Sequence, residues 1–401
     1  MCLFLVIYIV ILLFNNVINK FIPTSLIDEI SFAIIALIGI IKILKIKRIP
    51  KITLKVILIS FVICGLGLIS TFKYKYQIEV LPIFKDVIMF LKVPLTFAFG
   101  LVVFNNIQRD KIIEPLYKII KIFTVIIFVF GILNIFLPIN MDCGVRHGIK
   151  TYQFVFSHPT FLVYTLVIFI CILFTQKTFS KYIFMNIISL ILTCRDKAYI
   201  FVVVYILVYM ILLGKKMSWK VFITCSLGII GTIILYLLSF EKLSTLYLDY
   251  GVTTARGALY IYGWQYAIKY FPLGTGLATW GSSISAEYYS KLYYIKHMEY
   301  TPGLNPKDIS YATDTYWPYI YTQFGFIGML LYLIVLFDIY RYTVKILKDE
   351  NRFKWGALLI IAYTFIASIF EGFYTNETGV STIIILLLLF NNKKDRENIV
   401  K

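Results

Sequence analysis

The sequence is poor in charged residues, and acidic residues are the scarcest. Only 15% of its 401 residues are charged, against 60% hydrophobic, and 21 Asp and Glu face 39 Lys and Arg. A soluble domain cannot cover its surface with so little charge, so this composition excludes the soluble enzyme classes and indicates a chain that folds in lipid.

Side chains that bind metals are also few and scattered. The six cysteines show no Cys-x-x-Cys spacing, and the sequence has only three histidines. We therefore expect no metal, no disulfide framework and no cofactor. The glycines from Gly274 to Gly281 follow a predicted helix and lack a Walker lysine, so they predict no nucleotide site.

Apolar runs predict an all-α polytopic membrane protein that forms one integral membrane domain over 1–401. A helix needs about 20 apolar residues to cross the hydrocarbon core. The first run lacks a basic leader and a cleavage site before Asn15, so we expect it to be retained. The sequence contains about twelve such runs, at 3–18, 30–44, 52–70, 81–104, 119–137, 154–174, 182–194, 198–213, 221–240, 318–337, 355–370 and 380–390.

The formal net charge of +18 is better explained by basic residues that orient the helices in the membrane than by nucleic-acid binding, because these residues lie in short segments between apolar runs. With about twelve helices, every basic cluster falls on one side of the membrane. This pattern predicts that both termini are cytoplasmic. The clusters lie within 45–51, 109–121, 177–181, 215–220, 341–354 and 393–396.

The opposite side receives a large loop over 241–317. A connection of this length is usually functional, and its Tyr, Trp and Gly content is too apolar for a disordered linker. Residues 256–270 have helical spacing, with Thr253 and Thr254 as cap candidates, and Pro272 and the following glycines end that helix. We expect a folded external cap.

Four charged positions on this side need an explanation, because ionisable groups at membrane depth are costly and often functional. Arg195 follows the short seventh run; the alternatives are snorkelling to headgroups or pairing with Asp196. Arg256 begins the loop helix and is either a phosphate ligand or a surface residue. Asp314 precedes the tenth run, where an N-cap is the plain alternative.

The fourth position is the segment 143–158. Arg146, flanked by Gly144 and Gly148, suggests an anion-binding turn, although a solvated loop charge explains it equally well. His147 lies beside it. His158 precedes a proline at a predicted helix start, where a hydrogen-bonding role is at least as plausible as a catalytic one.

Other charges have simpler explanations. Lys85, Asp86 and Lys92 lie in the fourth run, where pairing or snorkelling is expected. Glu371, between the last two runs, faces either water or a cavity in which we also expect the charges of residues 195–197 to lie.

Three segments, in this order, resemble the bacterial O-antigen and capsular polysaccharide polymerase (Wzy-like) family and the related O-antigen ligases. They are 192–199 (LTCRDKAY), 256–276 (RGALYIYGWQYAIKYFPLGTG) and 314–328 (DTYWPYIYTQFGFIG). Ligases of this kind usually carry His where this chain has Asp314, followed by Asn or Ser; here Thr315 follows. The difference favours a polymerase.

The resemblance implies a GT-C-like scaffold in the bacterial cytoplasmic membrane. It implies transfer of a growing glycan from undecaprenyl pyrophosphate to a lipid-linked acceptor repeat unit, with no nucleic acid involved. Arg195 and Arg256, then Arg146, would bind pyrophosphate, and Asp314 would take the acceptor proton. Membrane lipid, a chain-length regulator and a flippase are the further partners it suggests.

Two other functions remain open at this point. A ligase would transfer the finished glycan to another lipid. A lipid-linked oligosaccharide flippase or other transporter would also have about twelve helices, but transporters usually place their polar residues near the midplane between two related halves.

Overall fold

The computed structural model describes residues 2–22, 24, 26–146, 148–214, 218–219, 223, 226–228, 230–232 and 251–390. Within these residues the chain is mostly helical. The helices are α1 (Cys2–Leu13), α2 (Asn15–Ile18), α3 (Ile27–Ile46), α4 (Lys51–Tyr74), α5 (Val80–Val103), α6 (Asp110–Phe136), α7 (Pro159–Gln176), α8 (Lys181–Leu192), α9 (Asp196–Leu213), α10 (Ala255–Lys269), α11 (Ser283–Glu287), α12 (Lys291–Ile295), α13 (Trp317–Gln323), α14 (Gly325–Ile346), α15 (Asn351–Phe370) and α16 (Glu377–Leu389).

The prediction of an all-α polytopic membrane protein is confirmed. Seven of the described helices are long and apolar enough to cross a membrane: α4, α5, α6, α7, α9, α14 and α15. Helices α1, α8 and α16 are shorter apolar helices. The predicted ninth run, 221–240, lies largely outside the described residues, as do 215–217 and 393–396 of the basic clusters.

Helices α5 and α7 form the centre of the bundle. Most of each is buried by other helices, whereas only about a third of α4, α6 and α9 is buried, as expected for helices with a lipid-facing side. Helix α7 packs against α8 and α15, and α5 packs against α3, α4 and α16. This arrangement places the first residues of α7 beside the turns that follow α8 and α15.

One strand pair interrupts the helices. Strands β1 (Asp142–Arg146) and β2 (Ile149–Tyr152) form an antiparallel hairpin in which Arg146 pairs with Ile149. The sequence predicted a turn near Arg146 but no strands. Gly144 and Gly148 have φ of +77° and +75°, which glycine adopts without the cost that other residues incur.

The described part of the large loop, 251–316, is folded, and we call it the cap. It has its own apolar cluster, in which Leu259 and Tyr266 of α10 pack with Trp280 and Tyr293. Trp280 is fully buried and donates a hydrogen bond to Leu259 O (3.2 Å). Residues 241–250 of the predicted loop lie outside the described residues.

The predicted tenth helix is divided into α13 and α14, so the expectation of one continuous helix over 318–337 was wrong. The segment after α10 hydrogen-bonds to the carbonyl groups at the end of α13. Thr275 N donates to Thr322 O (2.8 Å) and Gly276 N to Gln323 O (3.0 Å). A Cβ on Gly325 would lie 2.2 Å from Pro272 O. The backbone approach that breaks the helix therefore requires glycine.

Candidate functional site

The site is built around the turn between α8 and α9. Helix α8 has 12 residues, which at about 1.5 Å per residue spans about 18 Å, well short of the hydrocarbon core. The turn passes through Cys194 in the left-handed region (φ +49°), an uncommon conformation for a residue other than glycine. Arg195 then starts α9 in an extended conformation. The short helix is the reason that we expect Arg195 to lie below the outer membrane surface, and this depth stays a prediction.

Arg195 is held by His158. Its Nη2 lies 3.0 Å from His158 Nε2, and His158 Nδ1 accepts a hydrogen bond from Thr160 N (3.3 Å) as the N-cap of α7. Burial, together with the neighbouring charge of Arg195, lowers the pKa of His158 to about 4. The imidazole is therefore neutral near pH 7. A neutral imidazole accepts a hydrogen bond at only one of its two nitrogens, so the contacts from Arg195 and from Thr160 N compete. When the ring proton is on Nδ1, Arg195 donates to Nε2.

This contact identifies the side chain that holds Arg195. The guanidinium hydrogen-bonds to His158 and not to Asp196, a partner that was not evident from the sequence. His158 is a helix cap and a support for an arginine, which agrees with the hydrogen-bonding role and not with that of a base.

The charge around Arg195 favours an anion. Burial, and after it the charges of Arg146 and Arg256, lower the pKa of Arg195 to about 10, so Arg195 stays charged near pH 7. Arg195 Nε is buried and has no hydrogen-bond partner among the described residues. A buried donor without a partner is costly, and a phosphate oxygen would satisfy it.

Arg256 lies in the first turn of α10. Thr254 caps this helix by accepting a hydrogen bond from Gly257 N (3.2 Å), as the sequence predicted. The Nη2 and Nε atoms of Arg256 donate to Asp314 Oδ2 at 2.8 and 3.1 Å. The side chains are 33% and 31% exposed, so the pair borders solvent and its value to folding is small.

Asp314 is therefore an ion-pair partner and not a helix cap. The N-cap of α13 is Tyr316, with no side-chain cap bond, so the N-cap alternative was wrong. Burial raises the pKa of the Asp314 carboxyl above its ordinary value, and Arg256, Arg195 and Lys197 oppose this rise. Both contacts from Arg256 go to Oδ2, and Oδ1 makes no hydrogen bond with the described residues.

Lys197 and Glu371 complete the cluster. Lys197 is buried, and its Nζ lies 2.7 Å from Glu371 Oε1 in the turn after α15. Gly372 N, in the same turn, donates to Thr313 O (2.7 Å) and so ties it to the segment that carries Asp314. The Glu371 side chain is only 14% exposed, so it is largely enclosed by protein and not open to water. The sequence contained both residues on the same side of the membrane but did not show that they pair.

The charges of α5 do not pair with one another. Lys92 forms ion pairs with Asp28 and with Glu29 (2.9 Å) on α3, and Lys85 pairs with Glu287 (3.0 Å) in the cap.

Asp86 is fully buried and accepts a hydrogen bond from Ala278 N (2.8 Å). This carboxylate anchors the glycine-rich segment that follows α10 to the bundle. The role was not visible in the sequence, because the two partners are 192 residues apart.

Arg146 is the least enclosed of the predicted ligands. It is exposed at the end of β1, although its charge acts on both Arg195 and His158. His147 lies outside the described residues. Among the described residues, no group of three or more His, Cys, Asp or Glu side chains has the arrangement of a metal site.

The comparisons with known proteins bear on the same segment. No curated protein matches the chain. A family model described as O-antigen ligase matches residues 181–333. This range contains Arg195, Arg256 and Asp314 and all three segments that carry the resemblance, whereas Arg146 and Glu371 lie outside it. The chain is thus a multi-pass membrane protein that is similar, over 181–333, to the O-antigen ligase family of glycan-processing membrane proteins.

Proposed function

We propose that this protein is an oligosaccharide repeat-unit polymerase of the bacterial cytoplasmic membrane. It transfers a growing glycan from undecaprenyl pyrophosphate to a lipid-linked acceptor on the outer face, with both termini in the cytoplasm. The observation that carries the proposal is the cluster of Arg195, Arg256 and Asp314, which joins anion-binding groups to a carboxylate at one end of the bundle.

In the proposed reaction, an acceptor hydroxyl oxygen attacks the anomeric carbon of the donor glycan. The bond between this carbon and the pyrophosphate oxygen breaks, the electron pair leaves with the lipid pyrophosphate, and the hydroxyl proton passes to Asp314. Negative charge grows on the departing pyrophosphate, so guanidinium groups already in place stabilise the transition state more than the ground state.

Each side chain then has a distinct part. Arg195, fixed by His158, offers Nε and Nη1 to the pyrophosphate. Arg256 holds Asp314 by one oxygen, which leaves Oδ1 for the acceptor hydroxyl. The raised pKa of Asp314 makes it a stronger base than an ordinary aspartate, while Arg256 keeps the charged form accessible. Arg146 is positioned to add charge from the hairpin.

A ligase is the second candidate, and the description of the matching family favours it. The two reactions share donor and leaving group and differ only in the acceptor, which is another lipid-linked repeat unit for a polymerase. Asp314 stands where ligases that this chain resembles have His, and on that difference we favour the polymerase.

The test uses purified protein in lipid nanodiscs with lipid-linked repeat units as the only glycan. Polymerase activity predicts a ladder of longer lipid-linked chains, lost in Arg195→Ala and in Asp314→Asn. A product that appears only after a second, non-isoprenoid lipid acceptor is added would identify a ligase. No transfer in either case from folded protein would contradict both.

A further inference from the structure

Helix α10 has three distinct faces. One is buried in the cap through Ala258, Leu259 and Tyr266. The other two are exposed, and they differ in character. The difference is not explained by the chemistry proposed above, which uses only the first turn of the helix.

The first exposed face is a stripe of large apolar side chains. Ile261, Trp264 and Ile268 are 36%, 46% and 56% exposed, and Phe271, just beyond the helix, is 67% exposed. Spacing of three and four residues puts them on one line along the helix. We call these four residues the apolar stripe. A continuous row of such groups in water is costly and marks a contact surface.

The second exposed face is polar. Gln265 Oε1 accepts a hydrogen bond from Lys296 Nζ of the cap (2.7 Å), and Lys269 is exposed one turn further on. The boundary between the two faces is sharp, because Ile268 and Lys269 are adjacent in sequence. Such a boundary is typical of a helix that lies where lipid meets water.

The apolar stripe joins the lipid-facing surface of the bundle. The rings of Trp264 and Phe271 lie 5.3 and 5.7 Å from the ring of Phe326, in the first turn of α14. Helix α14 is long and apolar enough to span the membrane, and its exposed side continues with Ile327 and Leu330. The stripe therefore begins at the depth where α14 enters the lipid.

We propose that α10 is an interfacial helix whose apolar stripe inserts into the lipid bilayer on the cap side of the membrane. The partner is the bilayer itself, at the level where acyl chains meet headgroups. Trp264 sits at the depth that tryptophan prefers, and Lys269 extends to the headgroups. The inference does not depend on the reaction, but it gives the site a depth: the first turn of α10, with Arg256, is held level with lipid phosphates.

The experiment measures Trp264 fluorescence in nanodiscs by comparing wild type with Trp264→Phe, so that the difference isolates this residue among the five tryptophans. Lipids brominated near the top of the acyl chain are expected to quench most of the difference signal. Acrylamide in the water should quench little of it. Strong acrylamide quenching with no effect of brominated lipid would overturn the proposal.

A matched pair of cysteine variants supplies the second readout. Ile268→Cys and Lys269→Cys are reacted with a membrane-impermeant maleimide, and the background from native cysteines, such as exposed Cys143, is subtracted. Lys269→Cys should label several-fold faster than Ile268→Cys. Equal fast labelling would refute insertion. Protection of Trp264 from both quenchers would show that protein covers the stripe, for example a second copy of the chain, and would also refute it.

Discussion

Replacing Arg195 by Lys tests the anion site most sharply, because it keeps the positive charge and removes the planar guanidinium. In the structure Nη2 is engaged by His158, and Nε is buried without a partner among the described residues. A lysine has one nitrogen and cannot contact His158 and a phosphate oxygen in the same fixed geometry.

The expected loss follows from the number of donors removed. Loss of one preorganised donor to a developing anion lowers kcat about 10²- to 10³-fold, or about 2.7–4 kcal/mol. We therefore expect Arg195→Lys to elongate chains about 10²-fold more slowly than wild type. Arg195→Ala should be at least as slow, about 10²-fold or more, because it also removes the charge.

The assay follows the rate of chain elongation on lipid-linked repeat units by gel, with enzyme and substrate in the same nanodisc preparation. Arg341→Lys is the control, since Arg341 is an exposed arginine near the C-terminal end of α14, the end away from the cap. It should elongate at the wild-type rate. If Arg195→Lys also stayed within a few-fold of wild type, bidentate binding of pyrophosphate by Arg195 would be refuted.

Three further predictions concern the neighbours of Arg195. Asp314→Asn should keep the hydrogen bond from Arg256 but slow elongation about 10²- to 10⁴-fold. In wild type, activity should be lost on acidification at a higher pH than an ordinary aspartate would give, because the pKa of Asp314 is raised. An unchanged rate in the mutant would exclude Asp314 as the base. The pKa of His158 is lowered from 6.5 to about 4, so its contribution to the free energy of unfolding should decline as pH falls from 6.5 towards 4. Chemical denaturation should show this decline in wild type and not in His158→Gln. The same dependence of unfolding free energy on pH in both proteins would contradict the assignment. Glu371→Gln should lower stability by about 3 kcal/mol by leaving Lys197 buried and unpaired, and adding Lys197→Met should restore most of it; no recovery in the double variant would count against the pair.

The sequence predicted most of the described helices because the length of an apolar run reports directly on whether a helix can cross a membrane. The start of α10 was also readable, since Thr254 caps it as expected. The break between α13 and α14 was not, because it depends on hydrogen bonds from Thr275 and Gly276, about 47 residues earlier in the chain. A local pattern of hydrophobic residues cannot show that a distant loop competes for a helix carbonyl.

Three residues of the candidate site could be selected from the sequence, and their functional roles stay predictions. Arg195, Arg256 and Asp314 were selected individually, because an ionisable group at membrane depth is energetically costly. Their partners depend on tertiary contacts: His158 on Arg195, Asp314 on Arg256, and Glu371 on Lys197. Sequence spacing gave no means of pairing them, because each pair joins segments that are separated by dozens of residues.

The central claim is that the protein extends lipid-linked glycan, and deleting its gene tests this claim most directly. Surface glycan from the deletion strain would be compared by gel with strains complemented by wild type, Arg195→Ala or Arg256→Ala, after confirming that each protein reaches the membrane. We predict single repeat units in place of long chains, with long chains restored only by wild type. Complete loss of surface glycan would indicate a flippase, long chains retained on the lipid carrier would indicate a ligase, and either result would contradict the proposed polymerase.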